Sequence, residues 1–241
     1  MEIVDEAKKA EKEAKKRKRY AHIYYKPFST YKNLNDWHYQ LEMGENIEAV
    51  ALGTSWVAVV TSMGYVRVFS TEGIQRYIFC QGMQVLTVAG YENLLVLVYH
   101  SAPAFYGQQA LKAKIIDLGS KSYSIVNDIE CPITRSSTLS WLGFSDEGQL
   151  FTLDTEGVLR ALNPHNMLWV PVLNFRTEKM TNYNNIWMVG ISENDVMAIE
   201  VAKGYAVPHI NLKSRVRRFK IKYPFLDQEN KDPDSKEMTL A

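Results

Sequence analysis

Thr61-Ser62-Met63-Gly64-Tyr65-Val66-Arg67-Val68-Phe69-Ser70 aligns position by position with Asp154-Thr155-Glu156-Gly157-Val158-Leu159-Arg160-Ala161-Leu162-Asn163. Each copy closes one strand, turns tightly at a glycine, and opens a second strand of the form apolar–apolar–Arg–apolar–apolar. Glycine suits the turn because it enters the positive-φ region that a two-strand hairpin requires. The two glycines lie 93 residues apart, about twice the roughly 40–50 residues of a propeller blade. Working outward, short β-type segments separated by turn residues run from Ala21 to about Lys222, with no helix-length periodic segment between them. That excludes βαβ units and a parallel sheet. First strands of successive blades are expected near 47, 84, 137 and 185. This gives three complete blades, a half-blade before them (21–26 and 36–41) and a partial blade from 185 to 222.

The expected fold is therefore all-β, a propeller of WD-repeat-like blades. It is preceded by a charged helical extension over residues 1–20 and followed by a polar tail over 227–241. Residues 2–19 lack Gly and Pro and are rich in Ala, Lys and Glu, which are good helix formers. They carry too few apolar residues at helical spacing to dock firmly. The body of the propeller is assigned to 21–226.

Composition limits function. The 241 residues carry 28 Lys+Arg against 27 Asp+Glu, a net charge of +1, so no whole-chain field favours nucleic acid or a membrane. Cys80 and Cys131 have no partner pattern, neither a disulfide framework nor zinc spacing, and a reduced intracellular compartment is expected. Apolar runs such as Asn93–Tyr99 are far shorter than the roughly 20 residues of a membrane span. His22, His38, His100, His165 and His209 are scattered without metal-ligand spacing. No G-x-S-x-G elbow and no phosphate-cradling glycine loop occurs. No catalytic, metal or cofactor residue is assigned, and the expectation is a protein without enzymatic activity.

Several matched segments, in order, carry a family resemblance. Ala49–Gly53 with Trp56–Ser62, Arg67-Val68-Phe69 and Gly73–Arg76 resemble the SepB propeller of the WD-repeat and HMG-box DNA-binding protein family. That family is also called the chromosome transmission fidelity or minichromosome loss family. Val88-Ala89-Gly90, Leu97–His100, Leu139–Gly148 and Trp187–Ile191 match as well. The resemblance covers about Ala21 to Tyr223. It implies a six-bladed ring, homotrimerisation through the propeller, and a nuclear replisome adaptor. Its implied partners are the replicative helicase (a GINS-containing complex) and the DNA polymerase alpha–primase complex. Residues 1–19 stand where a blade and a half are expected. The helical bundle that grips client peptides in the family has no counterpart, nor have the amino-terminal WD repeats and the HMG box. The chain is accordingly expected to be a fragment or a reduced member, and the client-docking residues are not carried over.

Two basic clusters are candidate nucleic-acid contacts: Lys15, Lys16, Arg17, Lys18 and Arg19, and Arg215, Arg217, Arg218 and Lys220 with Lys213 and Lys222 beside them. Either would bind phosphates without sequence preference and lose affinity with salt. The first also reads as an import signal or a solvated helix end, and the reading favoured for the second is a charged edge strand that discourages stray pairing. Pro103, Phe105 and Tyr106, in a segment expected to interrupt a hairpin as a protruding loop, form a candidate partner contact. Trp56, Trp141 and Trp187 are expected in the core between blades. Besides the replication scaffold, two readings stand: a direct, non-specific DNA-binding module, and a WD-repeat interaction scaffold outside replication.

Overall fold

The computed structural model describes residues 20–28, 36–119, 123–178, 185–192, 195–201, 205–209 and 215–221. The expected amino-terminal helix and the tail from 227 lie outside them. The fold is all-β, of the propeller type. A two-stranded sheet joins β1 (His22–Tyr25) and β2 (Trp37–Gln40). Three four-stranded sheets follow. The first holds β3 (Ile47–Leu52), β4 (Trp56–Thr61), β5 (Tyr65–Ser70) and β6 (Gln75–Cys80). The second holds β7 (Val85–Tyr91), β8 (Leu94–Phe105), β9 (Gln108–Asp117) and β10 (Ser124–Glu130). The third holds β11 (Leu139–Phe144), β12 (Leu150–Asp154), β13 (Val158–Leu162) and β14 (Trp169–Asn174). A three-stranded sheet of β15 (Asn185–Ser192), β16 (Asp195–Val201) and β17 (Val216–Lys220) ends the described strands. Strands neighbouring in sequence are neighbours in each sheet, which is blade order, and the blade starts fall within two residues of those read from the sequence.

The chain forms two compact units, one through Val85 and one from Leu86. In the first, Ile23 and Leu41 of the two-stranded sheet's segment pack on Val57, Val59 and Phe69. Every residue of β4 is buried, while β6 is largely exposed. A middle strand covered on both faces reads as the unbroken apolar run Trp-Val-Ala-Val-Val, whereas outer strands do not. In the second unit, Val96, Val98 and Ile115 of one blade pack with Leu142, Leu150 and Leu162 of the next. Phe151, Leu153 and Leu159 in turn pack with Ile186, Ile191, Val196 and Phe219. Apolar blade face thus covers apolar blade face.

The repeated hairpin is reproduced bond for bond. Gly64 N–H donates to Thr61 O at 2.9 Å and Gly157 N–H to Asp154 O at 3.0 Å. Both glycines take positive φ, 72° and 81°. Each glycine carbonyl then accepts from the residue closing its blade, Gln81 at 2.8 Å and Phe175 at 2.9 Å.

Of the three tryptophans one corrects the sequence reading: Trp56 is buried, on a second strand, and Trp141 packs against the core between the last two described sheets, whereas Trp187 is exposed. Trp141 and Trp187 occupy the third position of first strands and differ from each other. A register shift between Leu139 and Trp141 resets the alternation of β11. Trp141 then lies across Gly143, where an added Cβ would come within 2.3 Å of the ring. Trp187 is 47% exposed because the alternation of β15 gives Ile186 and Met188 to the core. A period of two sends the residue between them outward.

Gly44 and Gly73 share nearly the same φ, 90° and 89°, in the same unit. An added Cβ at Gly44 meets only Met63 Cε at 3.9 Å, whereas at Gly73 it meets the Trp37 ring at 2.8 Å. Both Gly→Ala variants are expected to lose about 1–2 kcal/mol to the left-handed backbone. Gly73→Ala loses more, because the Trp37 ring stacked on Tyr25 is displaced. Urea midpoints of the two variants against the parent measure the difference.

Candidate functional site

The arginine repeated three residues after each turn glycine is a buried ion-pair centre. Arg67 on β5 donates from Nε to Glu45 Oε1 at 2.8 Å and from Nη2 to Glu45 Oε2 at 2.7 Å, a two-point grip. Its Nη1 donates to Gln75 Oε1 at 2.9 Å. Arg160 on β13 donates from Nη1 to Asp154 Oδ2 at 2.6 Å and from Nη2 to Thr134 Oγ1 at 2.8 Å. Asp154 also accepts from the Thr134 N–H and hydroxyl at 2.9 and 2.7 Å and from the Val158 N–H at 3.0 Å. Glu45 precedes the first strand of its blade and Thr134 precedes β11, so each cluster ties an incoming connection to the turn of the central hairpin. Hydrogen bonding from Arg67 holds the Glu45 carboxyl below its ordinary value against the cost of burial. For Asp154, burial pushes the carboxyl up, but the bonds from Thr134, Arg160 and Val158 outweigh it and the net displacement is downward.

These clusters were not assigned from the sequence, although an arginine flanked by apolar residues on a buried strand demands a carboxylate. The acceptors escaped notice because one lies 22 residues before its arginine and the other six.

Two further groups are held protonated by their surroundings. Burial pushes the Cys131 thiol up to about 12, so it stays protonated at neutral pH. Burial, with the Asp128 hydrogen bond behind it, raises the Tyr99 phenol to about 12. Tyr99 donates to Asp128 Oδ1 at 2.8 Å. Among the described residues no cluster of three or more His, Cys, Asp or Glu is placed to hold a metal ion.

The Pro103–Tyr106 segment departs from expectation. It is no free loop: β8 runs on to Phe105, opposite Gln108, through register shifts between His100 and Ala102 and between Ala102 and Phe105, and closes in a two-residue turn at Tyr106 (φ 49°) and Gly107 (φ 74°). Two successive positive φ values match the right-handed twist of the strands they join. The result is a long ladder-held hairpin whose tip exposes Pro103 and Tyr106, the latter 89% accessible.

Of the basic residues, Lys15 to Arg19 lie outside the described residues, as do Lys213 and Lys222. Arg215 and Arg218 are exposed at β17. Arg217 is ion-paired with Glu200 and lies over the Phe219 ring. Lys220 pairs with Asp195 at 2.8 Å. The strand therefore carries fewer uncompensated charges than its sequence shows.

Blades of this order, with polar locks beneath their turns, define a β-propeller of WD-repeat-like blades. The chain belongs to the family of the minichromosome loss protein, Mcl1, middle region, whose model matches residues 6–225. It is 36% identical over 168 residues to WD repeat and HMG-box DNA-binding protein 1 from Mus musculus, covering 69% of this chain and 15% of that protein. To Minichromosome loss protein 1 from Schizosaccharomyces pombe it is 26% identical over 185 residues, covering 73% and 23%. The chain thus spans less than a quarter of the length of either relative. Among solved structures, HIRA(644–1017) resembles it with a TM-score of 0.45 at 16% identity, over 60% of this chain and 44% of that one.

Replacing Arg160 by Met leaves the buried Asp154 charge without its cation and is expected to cost about 3–5 kcal/mol. In the native protein, both carboxylates are held below their ordinary values of 4.5 and 3.8. Their contribution is complete above those values and is lost as pH falls below them. Urea midpoints taken from neutral pH to about pH 3 check both statements. A flat acid limb with an unchanged Arg160→Met midpoint contradicts them.

Proposed function

We propose that this chain is a non-catalytic scaffold of the nuclear DNA replication machinery. It serves as part of an adaptor that links the replicative helicase, a GINS-containing complex, to DNA polymerase alpha–primase. The family match over residues 6–225 carries the reading. The physical design supports it, since interlocked blades and buried ion pairs hold loops and rims in fixed positions for partner proteins. Trimerisation through the propeller supplies multivalency, and two weak contacts held on one frame bind far more tightly than either alone. The exposed Pro103–Tyr106 hairpin tip is the partner contact assigned from this chain. The test is affinity purification of the full-length protein from replicating cells, read by mass spectrometry and by its native mass. Helicase and primase–polymerase subunits are expected to co-purify with a species of three copies. Replacing Tyr106 by Ser is expected to reduce that recovery without lowering the melting temperature. Absence of every replication protein overturns the reading.

The exposed Arg215 and Arg218 favour a second reading, weak and non-specific DNA binding. Two phosphate contacts give a slope of about −2 in log affinity against log salt. Replacing both by Ala should bring that slope towards zero in fluorescence titrations of a labelled duplex. An unchanged slope removes β17 as the contact.

A further inference from the structure

Within the second unit, a cleft of about 550 Å³ opens between the β7–β10 blade and the β11–β14 blade. Its floor and walls are apolar: Leu94, Val96, Ile115, Phe144, Leu150 and Met167. The volume lies within the roughly 300–1,000 Å³ of ligand-binding pockets. The apolar lining continues onto the surface, where Ile125, Val126 and Leu168 are half-exposed or more. Singly exposed apolar residues need no explanation, but apolar surface adjoining an apolar cleft marks an interaction site.

The walls are held by specific geometry. β10 carries one extra residue between Ile125 and Asn127, and such a bulge re-aims the side chains around it. Val126 and Asn127 both line the cleft. On the opposite wall, the β11–β12 turn needs Gly148 at φ 84°, because an added Cβ would lie 2.4 Å from the Tyr91 ring. Tyr91 packs on Phe144 with centroids 5.4 Å apart and donates its hydroxyl to Asp146 O at 3.1 Å. The β13–β14 turn presents Met167 in the left-handed region, φ 58°, and closes through Met167 N–H to Asn163 O at 2.9 Å.

Charge selects the occupant. Among the described residues no lysine or arginine lines the cleft, and Glu147 is the one charged residue of its described lining. Asp146 precedes it in the same exposed turn. Two adjacent acids at an apolar mouth favour a cation beside an apolar anchor. Asn127 and Gln149 supply amide groups able to meet peptide backbone.

We propose that this cleft binds a short extended peptide segment of a partner protein, seating one large apolar side chain with a neighbouring lysine or arginine against the Asp146–Glu147 turn. The inference rests on the scaffold reading but not on the replication partners named there. The probe is a fluorescent decapeptide with a central leucine followed by two arginines, titrated by anisotropy against the full-length protein. Micromolar binding is expected, weakened at least tenfold when the leucine becomes alanine and when the arginines become glutamates. Val126→Lys and Glu147→Lys, both at accessible positions, should each weaken binding at least fivefold with unchanged thermal melting. Absence of binding up to millimolar peptide overturns the proposal. So does binding indifferent to the leucine, to Val126→Lys or to Glu147→Lys. Co-purification of replication proteins by a protein that ignores the peptide leaves the scaffold reading standing and removes only the cleft. Peptide binding without co-purification removes the replication assignment and leaves the cleft.

Discussion

A guanidinium on a strand buried on both faces must find its counter-charge nearby, and this requirement organises the two best-formed hairpins. Arg67 is 6% exposed, and the Asp154 side chain that faces Arg160 has no solvent exposure at all. An unpaired charge there costs several kcal/mol, so each arginine constrains the chain around it. Glu45 comes from the connection entering its blade, and Thr134, which joins the Arg160 cluster, comes from the corresponding connection two blades on. In the first case the ion pair itself fastens the connection to the central hairpin; in the second the Arg160–Asp154 pair lies within the hairpin and Thr134 fastens the connection by hydrogen bonds to both. The glycine backbone bonds do the same with neutral groups, through Gln81 and Phe175. A buried pair of this kind adds little net stability over an apolar substitute; what it supplies is a penalty on every other register. A one-residue slip of β13 against β12 would turn Arg160 away from Asp154 and send Leu159 to the wrong face.

The repeated decapeptide carried most of the fold. Its two copies lie 93 residues apart, and that period, with the short β-type segments between turn residues, placed the blade starts within two residues of those at 47, 85, 139 and 185. This worked because a blade is a local unit whose turns are built from its own residues. What failed was any inference needing the phase of a strand. Trp141 and Trp187 look equivalent in sequence, yet a register shift after Leu139 changes which face of β11 meets the neighbouring blade. Bulges arise from backbone compromise between twist and pairing, and β11 has no proline or unusual glycine at the shift itself to announce one. The Pro103–Tyr106 segment misled in the opposite direction. It was expected as a protruding loop, but proline is tolerated at bulges: Pro103 lies where the register shifts between Ala102 and Phe105, and Tyr106-Gly107 then closes a two-residue turn.

The candidate contacts were legible only in part, for a related reason. Arg217 and Lys220 were read as candidate phosphate contacts or edge-strand charges without their partners, because Glu200 and Asp195 stand 17 and 25 residues earlier. Antiparallel pairing of β16 with β17 sets Lys220 opposite Asp195 and Arg217 opposite Ala198, and only then does the charge balance appear. The cleft beside β10 left still less trace. Its lining residues come from six strands and two turns of successive blades, and each is an ordinary core or rim residue in its own segment. Concave sites assembled between repeats are invisible to a reading that proceeds one repeat at a time.

Blade architecture also dictates where binding surfaces can arise. β4, a middle strand, is buried throughout, so it has no side chain to spare for a partner. Variation without loss of fold is left to the turns, the outer strands and the seams between blades. The long hairpin uses the first of these, extending two paired strands rather than an irregular loop, which holds Tyr106 at a fixed place with little ordering left to undergo on contact. β17 uses the second, spending two of its cations on Glu200 and Asp195 and keeping Arg215 and Arg218 at the surface. The cleft uses the third, where a bulge on one blade and a glycine turn on the next leave apolar side chains incompletely covered. All three kinds of surface depend on the same buried framework, because a contact presented on a blade is only as well placed as the register of the strands beneath it.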